Sequence, residues 1–442
     1  MARGPILLVG EVVVDVIRLG PEGSTIRFGG ICHACRALAA AGAGFRVAYA
    51  APTYMSEELD AFFRQLGALD SIRIAETVGS PAVMLVEHPE EATHQGYDWL
   101  LRDQMRFRES VEELGRLGQD DSTDALLIAG DLPLRGVLAS FARGQARVHI
   151  DWANSPNPIH DLADLGRPAT TLILSTSSAH FLDSCTGQFS ALCTLAMPGL
   201  ADAVLLKENR GGARYRRSTS PPVAVGAQIR TIRHSVGVGD CFDAIYVVSA
   251  QTDDVETALR RAAWCSAEYA ATFHMSSFAT EVGRVFALSP QDLSLSPGIR
   301  LPWEERATMS VYIAAPDFAG RDVTNIDAVE GALKYHNFRA RRPIREVGQL
   351  PDGATEADRA RACDADLAII ESSSAVVGVY EDDDPGTLVE IGFAAARGIP
   401  TLLFDPKHRA QNAMLTGVVN RVVHSLDELI LEVFRLLGTR TA

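Results

Sequence analysis

The chain has 442 residues, of which 47% are hydrophobic and 22% charged, and its formal net charge is −15. That length exceeds one ordinary core and sets the expectation at two domains, while the composition excludes disordered and collagen-like classes. The acidic balance argues against a nucleic-acid polymer as partner, because duplex binding draws on clustered basic surface, and no apolar stretch reaches bilayer-spanning length.

In chain order, residues 6–10 (ILLVG) open as a strand and lead directly into 12–17 (VVVDVI), without the layout of a signal peptide. A helix is expected over 32–41. Its C32-H-A-C35 has redox or metal spacing but lacks a second CxxC, so no metal site is assigned. Seven scattered cysteines, an odd number, suit reduced thiols in a cytoplasm. Further strands are expected at 46–50, 125–129, 147–151, 171–174 and 203–207, with helices at 56–66 and 254–273. Residues 286–307 carry three prolines and no sustained period, which reads as a linker between domains at 1–285 and 308–442.

Beyond it, strands are expected at 309–315, 365–370 and 401–404. Helices are expected at 326–335, at 387–397 before a capping Gly398, and at 426–437. The arginine-rich 338–345 reads as a solvated basic edge. Apolar strands alternating with helices predict an α/β chain of two parallel-sheet domains.

Two stretches carry chemistry. In H234-S-V-G-V-G-D-C-F-D-A244, Gly237 and Gly239 bracket Val238 just before a helical run. Glycines let backbone N–H groups turn inward, and a helix start adds its positive end, so the loop reads as an anion cradle with Asp240 beside it as a base. In E381-D-D-D-P-G-T-L-V-E-I-G-F-A-A-A396, Glu390 interrupts an apolar run. One explanation is a surface glutamate on a helix whose buried stripe is Ile391, Ala394 and Ala395. The other is an ionised carboxylate in the first helical turn, at the floor of a pocket beyond a strand edge, where it can attack a sugar's anomeric carbon.

Residues 5–285 resemble the PfkB/ribokinase family of sugar and nucleoside kinases. The resemblance rests on G10-E-V-V-V-D15, on F28-G-G-I-C-H-A-C-R-A-L-A-A-A-G42 and on S235-V-G-V-G-D240. It implies a ribokinase-like α/β domain in which Asp15 holds substrate hydroxyls and Gly29, Gly30 and His33 line the substrate. Asp240 would deprotonate the acceptor, and Gly237, Val238 and Gly239 would hold the migrating phosphoryl group of ATP, with Mg2+. Three departures stand out: His33 replaces the usual Asn, 174–180 (LSTSSAH) lacks the usual N-x-x-E, and Asn209 replaces a usual Gly.

Residues 309–437 resemble the nucleoside 2-deoxyribosyltransferase family through V311-Y-I-A-A-P-D-F318, D364-A-D-L-A-I-I-E371, D384-P-G-T-L-V-E390 and Q411-N-A-M414. The resemblance implies a smaller Rossmann-like or flavodoxin-like domain that needs no cofactor. In it Glu390 would attack C1′, Asp366 and Asp384 would bind the sugar or protonate the departing base, and Tyr312 and Asn412 would position Glu390 or the sugar. Asn412 belongs to an element that one subunit lends its neighbour, which implies a homo-oligomer. Phe318 packs either on the base or in the core. Asp317 would repel phosphate, whereas Arg321 and Ser372–Ser374 could receive it.

The expectation is a nucleoside-metabolism enzyme acting on a small-molecule nucleoside, nucleotide or sugar, with the N-terminal domain binding or phosphorylating one of these. The alternative is a kinase-like nucleotide sensor controlling a C-terminal nucleotide or NAD N-glycosidase.

Overall fold

Ile6, Leu7, Leu8 and Val9 have no solvent-exposed surface. A strand apolar on both faces belongs in the middle of a parallel sheet covered on both sides. The computed structural model builds the larger sheet around them and describes residues 4–20, 23–93, 97–107, 123–142, 144–218, 220–296, 298–351 and 353–440. In order, that sheet runs Val223–Val225, Ala213–Arg217, Ala203–Lys207, Thr171–Ser175, Arg147–Asp151, Asp124–Ile128, Ile6–Arg18, Phe45–Ala50, Asp70–Thr77 and Met105–Phe107. The strands from Ala203–Lys207 across to Asp70–Thr77 are mutually parallel, and antiparallel strands close both edges.

The far half of Ile6–Arg18 leaves this sheet. It pairs antiparallel with Ser24–Gly30 and parallel with Ala82–Val86, which in turn pairs with Tyr97–Leu101. Helices Ile31–Ala40, Val238–Ser249, Val255–Ala270 and Met275–Ala287 supply much of the core packed on the sheet.

The second unit comprises Leu301–Thr439 together with Glu90–His94, so the chain divides between Arg300 and Leu301. Its five strands are all parallel, in the order Arg339–Arg341, Ser310–Ala314, Ala375–Val379, Thr401–Phe404, Arg421–Val423. Numbered along the chain this is 2-1-3-4-5, the flavodoxin-like order, whose ligand crevice lies at the carboxyl ends of the first and third strands.

Four expectations are corrected. Residues 365–370 are not a strand but the end of helix Glu356–Glu371, which a capping box between Thr355 and Asp358 starts nine residues earlier. The strand is Ala375–Val379, buried at every position. The stretch 286–307 is not irregular: it holds the end of Met275–Ala287 and short helices at Pro290–Ser294 and Trp303–Arg306. The basic stretch 338–345 is solvated only in part, at Arg339 and Arg345. Arg342 is buried and meets Asp317 twice, at 2.7 and 2.8 Å, and Glu330 at 2.8 Å. Finally, Glu390 is the sixth residue of helix Pro385–Ala396 and sits in its second turn.

Gly378 decides how closely that helix approaches the sheet. A Cβ there would lie 2.4 Å from Ile391 Cδ1 and 2.9 Å from Ile391 Cγ1, so only a bare backbone lets Ile391 seat. Gly378→Ala should therefore destabilise the C-terminal unit by about 1–3 kcal/mol, the usual cost of overpacking. Denaturant titration measures this, and an unchanged midpoint would contradict the close contact.

Candidate active site

Tyr312 stands in the middle of strand Ser310–Ala314 with no exposed surface, so its hydroxyl needs an internal partner. It donates to Glu390 Oε1 at 2.7 Å. Glu390 is partly buried rather than exposed, and Ile391 and Ala394 beside it form the buried stripe. Asp384 is the N-cap of the same helix: its Oδ2 accepts from Thr387 N at 2.8 Å and Thr387 Oγ1 at 2.9 Å. The helix is thereby fixed at its start, and Glu390 follows two turns' worth of packing onto the strand.

Burial pushes the Glu390 carboxyl up to about 7. The Tyr312 hydrogen bond pulls against this, and the charges of Asp366 and Asp384 push further upward. The helix's positive end does not win, because Glu390 lies beyond the first turn, where that field has faded. Burial also raises Asp366, on helix Glu356–Glu371, and its Oδ1 is buried with no hydrogen-bond partner. Tyr312 is raised too, by burial and then by the Glu390 charge. Tyr312, Glu390, Asp366 and Asp384 thus share one electrostatic neighbourhood.

The acidic loop before the helix is staked out residue by residue. Lys407 donates to Glu381 at 2.7 Å and Arg321 to Asp382 at 2.9 Å, while Tyr380 bonds Asp383 and Asp384 caps the helix. Phe318 is 45% exposed, so a plain core role does not fit it. Asn412 caps helix Ala413–Val418, its Oδ1 accepting from Met414 N at 2.9 Å. Ser372 and Ser373 are turned away from a phosphate role: both hydroxyls donate to Ile369 O, at 2.9 and 2.8 Å, ahead of the strand rather than beyond it. The Arg342–Asp317 pair, which anchors the loop after the first strand, was missed. Arg342 is one of four arginines in 338–345, and nothing local marked it as the one that pairs with Asp317, Asp327 and Glu330.

In the N-terminal unit, Gly237 is the left-handed N-cap (φ 74°) of Val238–Ser249, and Gly239 follows within the first turn. Lys207 Nζ lies beneath, 3.5 Å from Gly239 O, 3.1 Å from Asp151 Oδ2 and 2.6 Å from Asp243 Oδ2. A lysine closing an otherwise apolar strand was its signal. Burial pushes Asp240 up to about 7, with Asp151 adding to the rise and Lys207 opposing it. The glycine loop and helix start suit a phosphate group. The magnesium donor set does not fit: the segment after Thr171–Ser175 offers hydroxyls instead of acids, and no cluster of three metal-ligating side chains occurs among the described residues.

Asp15 is buried and bonded to His33, with the Gly29 backbone packed against it, while Gly30 packs on Glu11 and Val13. Asn209 adopts φ 52°, the left-handed conformation that its usual Gly would take and that Asn tolerates. Cys32 and Cys35 are fully buried, burial pushing the Cys32 thiol up to about 12, and all seven cysteines are free.

Residues 311–430 match the family model for nucleoside 2-deoxyribosyltransferase. No curated protein matches the chain. Among solved structures, a fructokinase from Vibrio cholerae O395, in a form bound to fructose, ADP and calcium, aligns with a TM-score of 0.51 at 14% identity, covering 64% of this chain and 99% of its own. A ribokinase from Thermotoga maritima aligns with a TM-score of 0.49 at 15% identity (64% and 100% covered). A Burkholderia thailandensis nucleoside kinase in complex with inosine aligns with a TM-score of 0.48 at 15% identity (66% and 95% covered). The N-terminal unit therefore has the ribokinase-like fold, and the C-terminal unit resembles an enzyme family. No helix among the described residues is long and apolar enough to cross a membrane.

The Glu390 shift has a sign that can be checked. A carboxyl raised from 4.5 to about 7 in the folded state penalises folding as pH climbs through that window, with the penalty complete above about 7. Glu390→Gln should therefore melt a few degrees higher than the parent at pH 8 and level with it near pH 4. Equal melting temperatures at both pH values would show that the carboxyl is not desolvated.

Proposed function

We propose that the chain is an enzyme of nucleoside metabolism whose C-terminal unit breaks an N-glycosidic bond through Glu390. The observation that carries this is the 2.7 Å hydrogen bond from Tyr312, which fixes Oε1 and leaves Oε2 as the attacking oxygen. In the ionised form Oε2 bonds to C1′ as the C1′–N bond breaks, its electron pair departing with the base. Asp366, whose burial favours the protonated state, supplies the proton the base needs. The glycosyl ester then passes its sugar to water or to a second base, regenerating the carboxylate. Asp384 holds the helix carrying Glu390 and is the group assigned to a sugar hydroxyl, and Phe318, 45% exposed, is assigned to the base.

An unphosphorylated nucleoside fits better than a nucleotide. Asp317 is neutralised by Arg342 and no longer repels phosphate by itself, but Arg321 is tied to Asp382 and Lys407 to Glu381. Ser372 and Ser373 spend their hydroxyls on Ile369 O.

The N-terminal unit supports two roles. In the first it phosphorylates the sugar or nucleoside, Asp240 taking the hydroxyl proton at the Gly237–Gly239 loop with ATP as donor. In the second it binds a nucleotide without turnover and controls cleavage of a nucleotide or NAD by the C-terminal unit. The burial of Asp15 against His33 and the mismatch with a magnesium donor set favour binding without turnover in this unit, and do not bear on which substrate the C-terminal unit cleaves. Asn412 capping an exposed helix is compatible with lending that element to a neighbouring subunit in a homo-oligomer.

Incubation with nucleosides, nucleotides and NAD, with and without a free acceptor base, should yield a free base or an exchanged nucleoside by chromatography. Glu390→Ala should reduce turnover by at least about a thousandfold while leaving the circular dichroism spectrum intact; retained activity would remove Glu390 as nucleophile. Tyr312→Phe should lower the rate at neutral pH by roughly tenfold and move the acid limb of the pH–rate profile upward, because the bond that lowers the Glu390 pKa is gone. A limb that stays in place would deny Tyr312 that role.

A further inference from the structure

His33 sits on helix Ile31–Ala40 and is 1% exposed. Its Nε2 lies 2.9 Å from Asp15 Oδ2 and its Nδ1 2.7 Å from the Tyr269 hydroxyl. Burial holds the imidazole neutral, down at about 4 despite the pull of Asp15. A neutral ring has one donor and one acceptor nitrogen. The carboxylate can only accept, so Nε2 carries the proton toward Asp15 and Nδ1 accepts from Tyr269. Both ring nitrogens are thereby committed.

The ring is also wedged. A Cβ on Gly237 would fall 2.1 Å from His33 Cγ, so the imidazole presses directly on the backbone of the glycine loop. Asp15 is closed from its other sides. Its side chain is 3% exposed, and Arg27 Nε stands 3.7 Å from Oδ2. A Cβ on Gly29 would fall 2.2 Å from Oδ1, so the carboxylate rests on that backbone. Arg27 in turn is held by Val236 O at 3.1 Å and by the Tyr269 and Phe273 rings, 5.8 and 5.3 Å from its guanidinium. A carboxylate recognises a polyol by accepting its hydroxyl protons, and here an internal N–H occupies that position.

We propose that His33 is a specificity-determining residue: it satisfies Asp15 from within and bars free pentoses from the N-terminal unit. A sugar would have to displace a ring fixed at both nitrogens and backed by glycine, with no stronger hydrogen bond to offer. The proposal rests on the non-catalytic reading of this unit and names what its pocket excludes.

Isothermal titration of the full chain with ribose and with 2-deoxyribose tests it. The parent should give no saturable heat at millimolar sugar. His33→Asn should gain binding by about tenfold or more, the worth of one freed hydrogen bond, and Asp15→Asn on that background should remove the gain. Tyr269→Phe, which keeps the ring but releases Nδ1, should give a smaller gain and serves if His33→Asn does not fold. Sugar binding by the parent that Asp15→Asn abolishes would overturn the proposal, as would a folded His33→Asn with no gain. Base release measured with and without ADP separates the two claims, since indifference to ADP would end the sensor reading and leave the sugar result standing.

Discussion

A phenol with no exposed surface must hydrogen-bond inside the protein, and in the C-terminal unit that need organises the site. Tyr312 is held by strand pairs on both sides, at Arg341 and Val376, so its hydroxyl has a fixed position. Glu390 reaches it because Gly378 lets Ile391 close onto the sheet and because Asp384 starts the helix in the right register. The neighbouring acids take cations, a phenol or a helix end. Glu390 takes a neutral donor, and burial raises its carboxyl against the pull of that bond. A carboxylate neutralised by arginine is stable and unreactive, whereas one that is desolvated and held by a phenol gains by transferring its charge into a bond. The reactivity argued for Glu390 is thus a consequence of what it was not given.

Much of this was legible in the sequence where the cause was local. Continuous apolar runs gave the central strands, Pro385 and Gly398 bounded the helix, and a lone glutamate among Leu388, Val389 and Ile391 pointed at the site. Local pattern misled at 365–370, where Leu367, Ile369 and Ile370 mimic a strand. The capping box at Thr355 had already committed that stretch to helix, and Ala375–Val379, shortened by a glycine and preceded by three serines, looked like loop. Long-range pairing was invisible. Nothing near Arg342 announces Asp317 or Glu330, and nothing near His33 announces a tyrosine 236 positions away. The departure at His33 could be noticed, but its meaning depended on which atoms the fold brings to it.

The two units treat their polar groups in opposite ways. In the N-terminal unit Asp15, His33 and Tyr269 satisfy one another, as do Lys207 and Asp151. Asp243 is completely buried, its Oδ2 accepting from Lys207 at 2.6 Å while its Oδ1 lacks a partner, and burial raises it above the ordinary carboxylate range against the pull of Lys207. Such groups are settled: moving any one of them strands the others. In the C-terminal unit, Asp366 keeps a buried oxygen without a hydrogen-bond partner, and Glu390 holds its Tyr312 bond through Oε1.

Polar groups left incomplete cost stability, and a fold retains them where a ligand completes them. Asp366 is such a group beside Glu390, and the chemistry proposed for this chain lies there, at the edge of its smaller sheet. The larger unit has turned the corresponding residues inward, so that its first signature now braces its second through the ring of His33 lying on Gly237. In the proposed sensor role, a ligand that shifts the glycine loop would press on the first helix through the imidazole, because the ring lies directly on the Gly237 backbone.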